Sequence, residues 1–563
     1  HWRVPVLDLD THHGRRGLDV TADRGTPGPG CLRRRTARVR REVGRIANRC
    51  EVGCVIDVAA TIRSSAGQGA VGVHPVRTRW LVLVDRDTDH PIGIIAGIVA
   101  FVLFYFLFSP AGLERPAQIV AAVGVMMAIW WATEAIPLPA TALLPIIAFP
   151  LAGVMNIADA TAPYANPIIF LFLGGFLVAL AVERSELHRR IALVIFRLMG
   201  SSGKGLVAGF MLAAALLSMW ISNTSTTLML FPIAVSLALV VGETSPGLTD
   251  KAKHDFQIAL LLGLAYGASI GGVATLVGTP TNAFMVGFLQ SEYQLEIPFA
   301  QWMMVGIPVT VILLPLGWFL LTRFLFPVTF KSSPETRAEL DRRYEALGTM
   351  STAEKRTAIL FAFLIAGWVL RKPIGSALGI EGLSDAGVAM TAALLAFLIP
   401  SGTDRHALVT WDDTKRLPWG VLILFGGGLS LAAALSSTGL TLWLGQQMAP
   451  LGVINPLLLV VALTSLVIFL TELTSNVATT ATLLPVVAAL AIELGVDPLM
   501  LVVPVTIAAS CAFMLPVATP PNAIVFSSGE IQIREMMRAG LWLNLVSIAL
   551  VSAVAVWLVP LVL

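Results

Sequence analysis

The 563 residues predict an all-α polytopic membrane protein of two inverted repeats, each carrying a re-entrant hairpin. Three observations lead there. The chain is 56% hydrophobic and only 13% charged, where soluble domains carry about a quarter. Apolar runs such as 91–109, 117–134, 302–326 and 539–563 approach or exceed the roughly 20 residues that cross a bilayer as a helix. A polar pattern occurs twice at fixed spacing, one copy preceded by a basic flank and the other by an uncharged one.

Residues 1–90 stand apart. They hold sixteen Arg and no Lys, show no apolar periodicity, and precede the first Met of the chain, Met126. We expect them to be disordered or non-native, a fragment or translation from upstream of the true start. A basic cytoplasmic tail is the second reading, and an Arg-rich nucleic-acid arm a distant third, since no fold accompanies it. Cys31, Cys50 and Cys54 lie here and Cys511 in an apolar run. One Cys-x3-Cys pair without a partner pair is a weak metal signal and implies no disulfide framework.

The repeats are read as 91–326 and 357–563. "ISNTSTTLMLFP" at 221–232 returns as "TSNVATTATLLP" at 474–485. Between Ser222 and Ser475, an offset of 253, Asn223 meets Asn476, Thr226 and Thr227 meet Thr479 and Thr480, and Pro232 meets Pro485. Upstream, Gly174 and Gly175 fall on Gly427 and Gly428 in the same register. A second pair follows, "VGTPTNAF" at 277–284 and "VATPPNAI" at 517–524, where Thr279, Pro280 and Asn282 match Thr519, Pro520 and Asn522.

Charge gives the direction. Segment 184–204 carries Arg184, Arg189, Arg190, Arg197 and Lys204, whereas its counterpart 437–457 has no charged residue. Positive flanks stay cytoplasmic, so the two segments are expected on opposite sides of the membrane. Segment 327–356, with Lys331, Arg337, Arg342, Arg343, Lys355 and Arg356, reads as the cytoplasmic linker. Inverted repeats are a transporter architecture.

Each polar pattern breaks a helix. The apolar stretch 205–242 as one straight helix would be about 57 Å long, against a hydrocarbon core of about 30 Å. Folding it at the polar cluster gives a hairpin entering and leaving on one side, and 456–493 is read the same way. Pro280, and Pro520 with Pro521, cannot continue a helix ladder, so 256–290 and 499–527 are read as broken helices. Breaks inside a bilayer line cavities or ion sites.

The chemistry follows from these tips. Helix N-termini favour anions, while carbonyls, hydroxyls and Asn oxygens can replace the hydration shell of a small cation. A bound cation offsets the cost of burying a multivalent anion. Ser218 precedes Ser222 by four residues and Thr471 precedes Ser475 by four, so each pair shares a helix face. The breaks offer the Gly278–Thr279 and Ala518–Thr519 carbonyls. A lone Ser or Thr in a membrane helix ordinarily bonds back to its backbone or to a neighbouring helix; the duplicated cluster is read instead as a binding tip. Glu134, Glu183 and Glu472 are the intramembrane acids considered. The first two sit near helix ends, and two roles are open for Glu472, orienting the tip or helping to hold a cation. All eight His lie in the N-terminal segment or near polar linkers. With no His or Lys at the motifs, a serine hydrolase is disfavoured, and the chain is read as no enzyme.

With these paired tips and breaks, the chain resembles the divalent anion:Na+ symporter family, the INDY-type group of di- and tricarboxylate transporters, over about 91–563. The resemblance implies about eleven transmembrane helices plus two hairpins, a homodimer in the bacterial inner membrane, and elevator-type alternating access. It implies Na+ as coupling ion and a small anionic substrate, with no nucleic acid. Substrate carboxylates would meet Ser222, Asn223, Thr224, Ser475, Asn476 and Val477, with Thr279, Thr519 and Pro520 nearby. One Na+ site would use Ser218, Ser222, Asn223 and Gly278, the other Thr471, Ser475, Asn476 and Ala518. Val477 departs from members that have Thr there, which leaves open C4-dicarboxylate, citrate or sulfate, and symport or exchange.

Overall fold

The computed structural model describes residues 91–244, 248–330, 334–380, 382–402, 406–448 and 455–563. The Arg-rich segment 1–90, with Cys31, Cys50 and Cys54, lies outside the described residues. Helices dominate the described chain, and the one β pairing among them is an isolated bridge between Pro400 and Ala407. The first repeat opens with α1 (Pro91–Leu107) and α2 (Arg115–Thr133), followed by the short α3 (Leu138–Thr141), α4 (Leu144–Leu151) and α5 (Ile157–Thr161). Next come α6 (Pro167–Arg184), α7 (Leu187–Met199), α8 (Gly203–Ser218) and α9 (Asn223–Thr244). It closes with α10 (Asp250–Val273), α11 (Pro280–Tyr293) and α12 (Phe299–Phe319), which runs into a π-helical turn at Leu320–Leu325.

A charged helix α13 (Pro334–Ala346) leads to α14 (Thr352–Val369), α15 (Arg371–Leu378) and α16 (Asp385–Leu398). Ser351 and Glu354 form a reciprocal capping box at the N-terminus of α14. Then follow α17 (Trp419–Ser437), α18 (Leu440–Met448), α19 (Pro456–Thr471) and α20 (Asn476–Glu493). The chain ends with α21 (Pro498–Ala509), α22 (Pro520–Phe526), α23 (Ile533–Trp557) and α24 (Val559–Val562). Among the described residues, eight helical stretches are each long and apolar enough to cross a bilayer, or nine with α14 and α15 joined across a 74° bend.

Equivalent local chemistry recurs at the 253-residue offset. Ser202 caps α8 by accepting from Gly205 N–H, and Asn455 caps α19 by accepting from Leu457 N–H. The turns into α7 and α18 are made by Glu186 at φ 60° and Gly439 at φ 72°. The second position supplies the residue that suits left-handed backbone; the first holds a Glu in the same conformation. At the breaks, Thr279 (φ −138°, ψ 141°) and Thr519 (φ −142°, ψ 149°) have nearly the same backbone, each followed by Pro at the first helical position.

Packing shows how α8 and α9 fold back. Gly263 lies beside Val207 and Met211, Gly267 beside Met211, and Gly271 beside Ala215. Helix α10 therefore runs parallel to α8. The 22 residues of α9 cover about 33 Å, and the five residues 245–249 reach at most about 20 Å. Only a hairpin brings the end of α9 to the start of α10. In the second repeat α21 packs along both α19 and α20, and Thr471 at the end of α19 bonds Ala509 O at the end of α21.

The repeats then exchange partners: α9 packs on α22, and α20 on α11. Among the described residues, α10 is the most enclosed of the candidate spans, 94% buried over its apolar part, against 33% for the stretch Ile533–Val562. Helix α6 comes close enough to α16 that a Cβ on Gly174 would stand 2.6 Å from the Ala389 backbone. Arg190 with Glu354 (2.6 Å), Arg197 with Asp341 (2.9 Å) and Arg184 with Asp413 (2.8 Å) join α7 to the start of α14 and to α13, and the end of α6 to the lead-in to α17.

Candidate functional site

The two hairpin tips and the two breaks meet in the interior. In the first repeat, Ser218 is fully buried and contacts the Asn223 amide through its hydroxyl. In the orientation its neighbours require, that amide also donates to Ala268 O at 3.2 Å and Gly278 O at 3.3 Å. Three oxygens from three segments thus converge on one amide group. The approach depends on missing side chains. A Cβ on Gly272 would stand 2.6 Å from the Asn223 side-chain amide and 3.0 Å from Gly278 O, and a Cβ on Gly278 would stand 2.4 Å from Gly272 O. Thr275 ties the break to the tip, donating to Met219 O at 2.5 Å and accepting from Gly278 N–H at 3.1 Å.

The second repeat repeats half of this. Thr471 Oγ1 stands 2.8 Å from Asn476 Oδ1 and 3.0 Å from Ala509 O. Thr471 is fully buried, as is its counterpart Ser218. Ala518 is buried, with its own N–H on Leu515 O at 3.2 Å. Gly278, by contrast, lies directly against its tip.

The tie between tip and break is different chemistry in this repeat. Glu472, at the position of Met219, accepts from the N–H groups of Phe513 (2.8 Å), Met514 (2.9 Å) and Leu515 (3.0 Å), and from Asn544 Nδ2 (2.8 Å). Its carboxylate thus organises the unwound backbone of the second break at 513–515. That also explains why the second break is longer, since N–H groups that a helix would use are taken by the acid. Glu183 pairs with Arg416, and Glu134 is the left-handed cap at the end of α2.

The Asn of each "TPxN" unit was matched in sequence, but its role was not. Asn282 Nδ2 reaches Gly272 O (3.4 Å), Val273 O (3.2 Å) and Thr275 O (2.8 Å). Asn522 Nδ2 reaches Ala512 O (3.2 Å) and Leu515 O (3.0 Å). These amides satisfy carbonyls that the broken helices release. Sequence signalled them only through the conserved offset of 240 between the two residues.

The remaining candidates divide. Ser222 Oγ accepts from Ser225 N–H at 3.2 Å and pairs with Ser225 Oγ at 3.0 Å, capping α9 rather than joining Ser218. Ser475, Thr224 and Val477 are half-buried at the tips. Thr519 caps α22 by accepting from Asn522 N–H at 3.3 Å, and Pro520 beside it is exposed. Thr279 Oγ1 faces Thr281 and Ser510 instead of the tips.

Known proteins resemble the chain over most of its length. The family described as the sodium:sulfate symporter transmembrane region matches residues 89–563. A sodium-dependent dicarboxylate transporter SdcS of Staphylococcus saprophyticus is 42% identical over 475 residues, 83% of this chain and 91% of that one. The transporter of the same name from Staphylococcus aureus strain MRSA252 is 39% identical over 481 residues, 85% and 92% of the two chains. The crystal structure of the Alcanivorax borkumensis YdaH transporter aligns with a TM-score of 0.49 at 16% identity, over 78% of this chain and 98% of that one. With a family match across nearly all of the described residues, and relatives at about 40% identity over most of both chains, the protein belongs to the sodium:sulfate symporter family of divalent anion:Na+ transporters.

Proposed function

We propose that the chain is a secondary transporter that imports C4-dicarboxylates such as succinate, malate and fumarate together with Na+. The observation that carries this reading is the convergence of Ser218, Gly278 O and Ala268 O on the Asn223 amide. Oxygens gathered around an amide N–H in a buried pocket suit a small cation equally well, once the amide turns its own oxygen inward. Thr471, Asn476 and Ala509 O offer the second such place. Half-buried Ser222, Thr224, Ser475 and Val477 lie around the helix N-termini of α9 and α20, where backbone N–H groups favour a carboxylate. Two cations beside a dianion leave the site neutral overall, which removes most of the cost of carrying charge through a low-dielectric interior. The dicarboxylate class is supported by the names of the SdcS relatives.

Movement would be of the elevator kind, in a homodimer. The hairpins and breaks form the carried part, and α1–α6 with α14–α17 the part that stays. The short helices α7 and α18, entered through sharp left-handed turns at Glu186 and Gly439, are the connections such a slide requires. The linker and the basic cluster of α7 and α13 face the cytoplasm in this reading.

Proteoliposomes with an imposed Na+ gradient and radiolabelled succinate, citrate or sulfate test the proposal. Na+-driven succinate uptake is expected. Asn223→Ala and Asn476→Ala should each abolish it while leaving a folded, monodisperse protein. Uptake indifferent to Na+ would sink the symport claim, and uptake of sulfate without succinate would reassign the substrate.

A further inference from the structure

The two oxygen clusters are joined. Thr281 Oγ1 stands 2.7 Å from Ser510 Oγ, and Thr279 Oγ1 lies 3.4 Å from each of them. All three side chains are buried, at 3% exposure for Thr279 and Ser510 and 0% for Thr281. Their positions in the chain matter. Thr279 directly follows Gly278, whose carbonyl receives the Asn223 amide. Ser510 directly follows Ala509, whose carbonyl receives Thr471 Oγ1. One short line of bonded groups therefore runs from Ser218 and Asn223, through 278–281, across to 509–510, and on to Thr471 and Asn476.

The bridge is not duplicated by the repeat. At the 240-residue offset, Ser510 corresponds to Ile270 and Thr281 to Pro521, and neither has a hydroxyl. A contact required only by the symmetric packing of the breaks would be expected twice. We infer that Thr281 and Ser510 are positioning residues that couple occupation of one cation cluster to the geometry of the other, an inference that rests on the cation reading proposed above. A cation drawing Gly278 O inward moves the start of α11. In a dry interior the Thr281–Ser510 hydrogen bond has no water to replace it, so the displacement passes to Ala509 O rather than being absorbed. Coupling of this kind is reciprocal: each cation tightens binding of the other.

The test is the Na+ dependence of uptake in proteoliposomes, with whichever anion supports it. The wild-type curve is expected to be sigmoidal. Thr281→Val, which keeps shape and removes the hydroxyl, and Ser510→Ala should bring the Hill coefficient down toward about 1 and raise half-saturating Na+ severalfold. Thr281→Ser should retain the wild-type curve. Thr506→Val is the control, since Thr506 is equally buried in α21 but bonds only to Val502 O of its own helix, at 2.8 Å; it too should leave the curve unchanged. Should a variant be inactive, the Na+ dependence of its thermal midpoint in detergent is read in the same way. Unchanged cooperativity in Thr281→Val and Ser510→Ala overturns the coupling, as does a non-cooperative wild type. Wild-type uptake that ignores Na+ overturns the transport reading instead.

Discussion

At the scale of single residues, the most consequential side chain is one whose role sequence left open. Glu472 is 3% exposed and takes three backbone N–H groups and one amide. Glu472→Gln would keep the shape but lose the charge-assisted part of these bonds and present N–H to N–H. A cost of about 2–3 kcal/mol is expected, read as a lowered thermal midpoint in detergent, together with weakened Na+ dependence because Thr471 is its neighbour. A stable variant with wild-type Na+ dependence would show that the unwound backbone holds its shape without the acid. Why the sequence left this open is plain from the partners. Backbone N–H groups carry no residue identity, and Asn544 lies 72 positions away. The same holds for Ala268 and Ala509, which contribute only carbonyls. Asn223, Asn476, Ser218 and Thr471 could be singled out because they are polar side chains in apolar runs and recur at the offset of 253.

At the scale of elements, the hairpins were legible from length: an apolar stretch too long to cross once, broken by polar residues, must turn. The breaks were legible from proline. What sequence could not show is that the tips and breaks meet through glycine. Gly272 and Gly278 bring α10 and the first break within contact of Asn223, but a glycine in a membrane helix has many other uses. Gly272→Ala would place a Cβ 2.6 Å from the Asn223 side-chain amide, so it should abolish Na+-driven uptake even where the protein inserts and purifies normally. Gly242→Ala in α9 makes the comparison. A Cβ there meets nothing within 4 Å, and the change should leave uptake intact and raise stability by up to about 1 kcal/mol. Uptake and thermal midpoint measured side by side separate the two, and active Gly272→Ala protein would show that the cluster is looser than its contacts suggest.

At the scale of the whole molecule, the exchange of partners between repeats makes the two hairpins and two breaks one body, since α9 holds α22 and α20 holds α11. The remaining question is whether that body slides against α6 and its neighbours or stays fixed to them. The structure supplies a place to ask. A Cβ on Gly175 of α6 would lie 3.7 Å from Val277 Cβ in the first break, within the Cβ separation of about 3.5–4.5 Å that a disulfide spans. In a double variant, Gly175→Cys with Val277→Cys, oxidation by a membrane-permeant copper–phenanthroline reagent should stop uptake, and a reductant should restore it. Each single variant controls for the change in packing, and electrophoretic mobility after proteolysis between the two positions reports whether the bond has formed. If the site moves past α6, one covalent bond at this point is enough to arrest transport, because an elevator has no path that keeps these two residues adjacent. Full uptake with the bond formed would mean that access alternates by local opening of the hairpins, with the breaks at rest against α6.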